Sequence, residues 1–169
     1  MGKTLFIVRH AMARSTEAGK KDIDRLLSSE GMQQSSRLGV YLAKMNTTIS
    51  AIICSSAARA VQTAELIADQ LNYDITKIST EEDLYEASVR ILFSKISELN
   101  AEWNDVIVVG HNPVLSYFVE YLTGHHFEGM EPGSLVKISS TAKNWTQVSQ
   151  DNSSFEFYVV PDDYQDQQK

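Results

Sequence analysis

Cys54 is the sole cysteine of the chain, so no intramolecular disulfide can form. It sits in Ala51-Ile52-Ile53-Cys54, where it reads as a buried apolar strand residue rather than a reactive thiol. Positive charge is scarce. Fifteen Lys and Arg against 22 Asp and Glu give a net charge of -7. That balance argues against general polyanion binding, because nucleic-acid recognition depends on clustered Lys and Arg. It still admits a small basic pocket. No apolar run is long enough to span a bilayer. No basic stretch followed by a long apolar one opens the sequence, so no signal peptide is expected and the default location is the cytoplasm. A Gly-rich nucleotide loop of the Walker type is missing. So is a metal-binding framework: His125-His126, Asp22-x-Asp24 and Asp162-Asp163 read as solvated positions. Neither a metal nor a cofactor is expected.

The 169 residues, 43% of them hydrophobic, suffice for one domain with a real core. Residues 1–161 read as that domain, and 162–169 as a polar tail that frays. Thr4 to Val8 is a short apolar run, which predicts a strand buried on both faces. Ser15 to Leu27 is polar and charged and reads as a loop. Ser28-Ser29 can cap a helix whose Leu38, Tyr41, Leu42 and Met45 share one face. Ala51 to Cys54 predicts a second strand, and Ser55-Ser56 another cap, before a helix carrying Val61, Ala64, Ala68 and Leu71. Ile75 to Ser79 predicts a weaker strand, and Val89 to Leu99 a third amphipathic helix. Val106 to Val109 is the strongest strand signal. Pro113 can occupy the first turn of the helix that follows. Beyond Gly124, the segments Leu135–Ile138, Trp145–Val148 and Phe155–Val160 predict strands.

Strands alternating with helices imply an α/β fold with a mostly parallel sheet. Ligands of such sheets bind beyond the carboxyl ends of the strands. Three polar motifs sit at those ends. Arg9-His10 follows the first strand, Ser55 to Arg59 the second, and Gly110-His111 the strand at 106–109. Each alone has a bland reading: a strand end, a surface helix residue, a histidine in a turn. Together they converge on one crevice with phosphate chemistry. Arg9 and Arg59 are planar forks matched to phosphate oxygens. His111 is a further donor, and helix N-termini near Ser56 and Pro113 add backbone N–H groups. His10 is the candidate nucleophile. Neighbouring guanidinium groups disfavour its protonation, and a loop carbonyl can hold its other ring nitrogen. The expected path is attack on phosphorus, a phosphohistidine intermediate, then hydrolysis.

These motifs carry a family resemblance. Leu5-Phe6-Ile7-Val8-Arg9-His10-Ala11 resembles the signature of the histidine phosphatase superfamily, commonly Arg-His-Gly. Ser55-Ser56-Ala57-Ala58-Arg59-Ala60-Val61-Gln62-Thr63-Ala64 is similar to its second motif. Val109-Gly110-His111-Asn112-Pro113 is similar to its third. Their order and spacing resemble the SixA-like phosphohistidine phosphatase branch, over residues 3 to 138. The resemblance implies a three-layer sandwich of the phosphoglycerate mutase type, without a large insertion. It implies a metal-independent phosphatase with His10 as nucleophile and Arg9, Arg59 and His111 as the phosphate pocket. Asp24-Arg25-Leu26-Leu27 resembles that branch's Asp-Arg-x-Leu segment, so Arg25 is a candidate phosphate or substrate contact, as is Asn112. Glu86 is a candidate proton donor, against its reading as part of a solvated acidic turn. The implied substrate is phosphohistidine on a protein. A small phosphorylated metabolite is the alternative, and a phosphate- or phosphoprotein-binding module without turnover a third.

Overall fold

The computed structural model describes residues 2–166. Its strands are β1 (Lys3–Arg9), β2 (Ala51–Ser55), β3 (Ser79–Glu81), β4 (Asp105–Gly110), β5 (Leu135–Ser140) and β6 (Ser153–Val159). They form one sheet in the order β3-β2-β4-β1-β5-β6. The first four run parallel to one another, while β5 and β6 are antiparallel additions at the β1 edge. Helices α1 (Ser29–Ala43), α2 (Ala58–Gln70), α3 (Val89–Ser97) and α4 (Val114–Thr123) cover the sheet, and a four-residue helix α5 (Pro161–Tyr164) ends the described chain.

The continuous apolar runs explain the layering. Successive strand residues point to opposite faces, so a strand with no polar alternation must be covered twice. Leu5 and Ile7 of β1 join Val106 and Val108 of β4 in one core, under Leu92 and Ile96 of α3 and Leu115 and Phe118 of α4. Phe6 and Val8 join Ile107 and Val109 in the other, under Leu38 and Leu42 of α1 and Ala64 and Ile67 of α2. The result is the expected three-layer α/β sandwich, with no large insertion.

Four local expectations are corrected. The strand expected at 75–79 starts later, at Ser79. Residues Ile75–Lys77 form a 3-10 turn, because the Asp74 carboxylate accepts from the Thr76 N–H at 3.0 Å. Trp145–Gln147 is also a 3-10 turn, not a strand. Trp145 is 1% exposed and its Nε1–H donates to the Trp103 carbonyl at 2.9 Å, so its apolar character reflects a core anchor in a loop. The serines before α2 do not cap it: its N-cap position is Ala57, with no side-chain bond. The described part of the polar tail, 162–166, does not fray, since Tyr164 is buried and its hydroxyl donates to the Gly133 carbonyl; 167–169 lie outside the described residues. The Ser28 cap does form, with Oγ accepting from the Gly31 N–H at 3.1 Å.

One irregular segment matters for the site. The chain from Ala13 to Leu27 leaves and returns at nearly the same place, closed by a single antiparallel bridge between those two residues. The neck is fastened by Arg14 N–H to the Leu26 carbonyl at 2.9 Å and Ser28 N–H to the Met12 carbonyl at 3.0 Å. Leu27 N–H donates to the Gln62 side chain at 2.8 Å, tying the neck to α2.

Candidate active site

Register brings the motifs together. Arg9 pairs with Gly110 across β1 and β4, and Cys54 with Val109 across β2 and β4. The residues immediately beyond, His10, His111 and the start of α2, therefore share one end of the sheet. Behind them the backbone is fully bonded. His10 N–H donates to the Gly110 carbonyl at 3.0 Å, and Gly133 N–H to the carbonyls of both Arg9 and His10 at 3.1 Å. A cleft of about 510 Å³ opens here, with His10, Arg59 and His111 among its lining.

His10 sits at the floor, 8% exposed. Its Nδ1 lies 2.8 Å from the Ala11 carbonyl. A carbonyl only accepts, so Nδ1 carries the proton and Nε2 keeps its lone pair. That nitrogen faces Arg59, whose Nε approaches to 3.4 Å. The His10 pKa is pushed down to about 3, first by burial and then by the charges of His111, Arg59 and Arg9. The expected effect of neighbouring guanidinium groups is present, but desolvation exceeds it.

Ala11 and Met12 are held from two helices. Ala11 N–H donates to Thr63 Oγ1 at 3.1 Å, and that hydroxyl donates to the Arg59 carbonyl at 2.7 Å. Met12 N–H donates to Gln34 Oε1 at 3.1 Å. A Cβ at Gly31 would lie 2.0 Å from the Met12 carbonyl oxygen, so only glycine lets α1 approach this strap.

Arg59 is 5% exposed in the first turn of α2. Its Nη1 donates to the Asp22 carbonyl at 2.9 Å and its Nη2 to Asp22 Oδ2 at 3.0 Å. Arg9 donates from Nη1 to the Met130 carbonyl at 2.7 Å, while its Nε is buried without a partner in the protein. His111 is 9% exposed, and its Nε2 lies 2.7 Å from Ser55 Oγ. Burial first, then the charge of Arg59, pushes its pKa down to about 4. The two imidazoles stand 5.2 Å apart between ring centres.

The remaining expected residues divide. Arg25 reaches the cleft, paired with Asp22 at 3.2 Å. Asn112 lines it too, but its amide bonds the Met130 carbonyl at 3.2 Å and Ser116 Oγ at 2.8 Å, so it braces the 130 loop. Glu86 is exposed at the rim. Sequence reading missed four participants. Within the second motif Ser55 was expected to cap a helix and Thr63 had no role. Asp22 had been read as a solvated position, and Tyr85 carried no signal: the Tyr85 hydroxyl donates to Asp22 Oδ2 at 2.6 Å, across 63 positions of chain, and Arg59 and Arg25 pair with the same carboxylate.

Chemically, the cleft offers a neutral buried imidazole whose Nε2 lone pair is unprotonated and accepts the Arg59 Nε–H, with cationic donors beside it. Solved structures share this fold. A SixA structure from Nakamurella multipartitia superposes with a TM-score of 0.84 at 22% identity, covering 95% of this chain and 97% of that one. The protein histidine phosphatase SixA complexed with tungstate gives 0.81 at 22%, covering 95% and 98%. A mycobacterial glucosyl-3-phosphoglycerate phosphatase gives 0.65 at 13%, covering 92% and 98%. At such identities the likeness concerns the fold. The family model for the histidine phosphatase superfamily (branch 1) matches residues 5–92, more than half of the chain and inclusive of His10 and Arg59. With that match, the chain belongs to the histidine phosphatase superfamily.

Proposed function

We propose that this protein is a metal-independent phosphatase that removes phosphate from phosphohistidine on other proteins, through a covalent intermediate on His10. The observation that carries the reading is the His10 ring: Nδ1 fixed on the Ala11 carbonyl, Nε2 unprotonated and aimed at the Arg59 guanidinium. A phosphoryl group whose oxygens take over the Arg59 N–H donors meets the lone pair that they release.

In the first step Nε2 attacks phosphorus and a P–N bond forms as the bond to the leaving group breaks. Arg9 and Arg59 neutralise charge on the equatorial oxygens, which is the main service a protein renders in such transfers, and the neutral His111 ring adds a hydrogen-bonding group beside them. His10 keeps its Nδ1 proton, so the phosphorylated ring is cationic and a ready leaving group. Water then attacks phosphorus, its proton passes to phosphate or solvent, and neutral His10 returns.

Substrate choice follows from protons. An alkoxide leaving a phosphomonoester needs an acid. Glu86 is exposed at the rim, and nothing holds it over the nucleophile. An imidazole leaving a phosphoramidate arrives already protonated on its far nitrogen. The likeness in fold to structures named SixA favours the same substrate. A second reading, hydrolysis of a small phosphorylated metabolite, draws on the fold shared with the glucosyl-3-phosphoglycerate phosphatase.

The test is turnover of a phosphohistidine-bearing protein against a panel of phosphomonoesters, in chelator, with His10→Ala alongside. Phosphohistidine should be the better substrate, His10→Ala should be inactive, and chelator should change nothing. Faster hydrolysis of a sugar phosphate would install the second reading. Equal turnover by His10→Ala would remove the nucleophile.

A further inference from the structure

Phosphate transfer through His10 has no need of a carboxylate, yet Asp22 stands in the cleft. Its Oδ2 accepts from the Tyr85 hydroxyl at 2.6 Å and from Arg59 Nη2 at 3.0 Å. Among the described residues its Oδ1 pairs with Arg25 Nη2 alone, at 3.2 Å. A carboxylate has about four acceptor positions, so one on Oδ1 is left. The guanidinium that Asp22 grips is the same one that faces His10 Nε2. Asp22 is thus one guanidinium away from the nucleophile. The two differ in depth. His10 lies at the floor with 8% exposure, while the Asp22 side chain is 46% exposed. Attack on phosphorus is in line with departure. A phosphoryl group bonded to a nucleophile at the floor therefore directs its leaving group outward, toward the depth at which Asp22 sits.

We propose that Asp22 is a specificity-determining residue that reads the leaving group: its free acceptor position takes the far ring N–H of the substrate's phosphohistidine and holds that ring as an imidazolium while the P–N bond breaks. The assignment rests on the phosphohistidine reading above. The electrons balance without an acid. His10 Nε2 supplies a pair to phosphorus, the old P–N pair returns to the departing ring, and the ring leaves neutral with its N–H still on Asp22. An alcohol leaving group gains nothing from this. Its oxygen takes up negative charge and needs a proton. The Tyr85 hydroxyl and the arginines hold the Asp22 carboxyl below its ordinary range, so it is ionised and has no proton to give. A carboxylate there favours an imidazole and opposes an alkoxide.

Two measurements test this. The first compares Asp22→Asn with the parent on a phosphohistidine-bearing peptide and on para-nitrophenyl phosphate, whose leaving group needs no proton. Loss of a charge-assisted hydrogen bond should lower kcat/KM on the peptide by about 10-fold more than on the aryl ester, whose own loss reports the support that Asp22 gives Arg59. Asp22→Glu should recover part of the loss. Equal losses on both substrates would reduce Asp22 to a support for Arg59. Equal gains would make it a mere competitor of phosphate. Either overturns the proposal. The second needs no variant. The parent is given phosphorylated imidazole and phosphorylated N-methylimidazole, each rate divided by its own uncatalysed rate. The first should lead by about 10-fold, because only it has the far N–H. Equal ratios overturn the proposal. Failure of the underlying reading looks different: the parent itself would prefer metabolite esters to the phosphohistidine peptide.

Discussion

Lowering the pH should unfold this protein earlier than its carboxylates alone would, through two histidines. His10 and His111 have folded-state pKa values of about 3 and about 4. In the unfolded chain each returns to about 6.5. Between those limits the unfolded state binds more protons, so stability rises with pH and falls as pH drops below about 6.5. Each group contributes about 1.36 kcal/mol per pH unit in that window. At about pH 5 the loss is roughly 2 kcal/mol per histidine and about 4 kcal/mol for the pair, a large share of an ordinary domain's stability. The assay is urea unfolding at a series of pH values. The slope should begin below about pH 6.5, and replacing both rings by asparagine should flatten it. Imidazole NMR of the folded protein should show His10 neutral down to about pH 5. A flat stability profile between about pH 6.5 and 5, or His10 resonances titrating near 6.5, would refute the reasoning.

Other perturbations have definite outcomes. Arg59→Ala should cut kcat about 10²- to 10³-fold, as loss of a principal charge-stabilising donor does, measured on the preferred substrate. Ser55→Ala removes the partner of His111 Nε2 and the acceptor of the Ala57 N–H, so kcat/KM should fall about 10-fold and stability should drop by about 2 kcal/mol in urea unfolding, about 1 kcal/mol for each hydrogen bond. Gly31→Ala must push back the Met12 backbone. It should cost about 1–3 kcal/mol in urea unfolding and also lower activity, because the displaced strap adjoins Ala11. Tyr164→Ala should cost about 3–5 kcal/mol, the price of emptying a large buried aromatic site, despite its place in an acidic tail.

Much of this was legible before the structure. Apolar runs such as 4–8 and 106–109 can only be strands covered on both faces, and that requirement alone builds the three layers. The convergence of Arg9, His10, Arg59 and His111 follows from strand-end logic. What was illegible has physical causes. Ser55 was read as a helix cap, and its oxygen does accept a backbone N–H, that of Ala57; nothing in the sequence marks that the same oxygen also meets the His111 imidazole. Asp22 lies 37 positions from Arg59 and inside a loop of mixed charge, where no periodicity marks which carboxylate turns inward. Trp145 was read into a strand because a single large anchor mimics a short apolar run. Tyr164 was lost in a polar tail for the opposite reason, one aromatic being too few to make a pattern.

The loop from Ala13 to Leu27 carries a further consequence. Its neck is pinned by the bridge and by Gln62, and the nucleophile is fastened separately by Ala11, Gly110 and Gly133. Anchoring and reading are therefore divided between two parts of the chain, joined in the cleft by the two bonds from Arg59 to Asp22. Lengthening a closed loop is inexpensive, about 0.6 kcal/mol for each doubling. Away from Asp22, which grips Arg59, this loop can thus accept insertions and new side chains while His10 stays fixed. Selection for a different phosphorylated partner would act on its residues first, and the chemistry would be inherited unchanged.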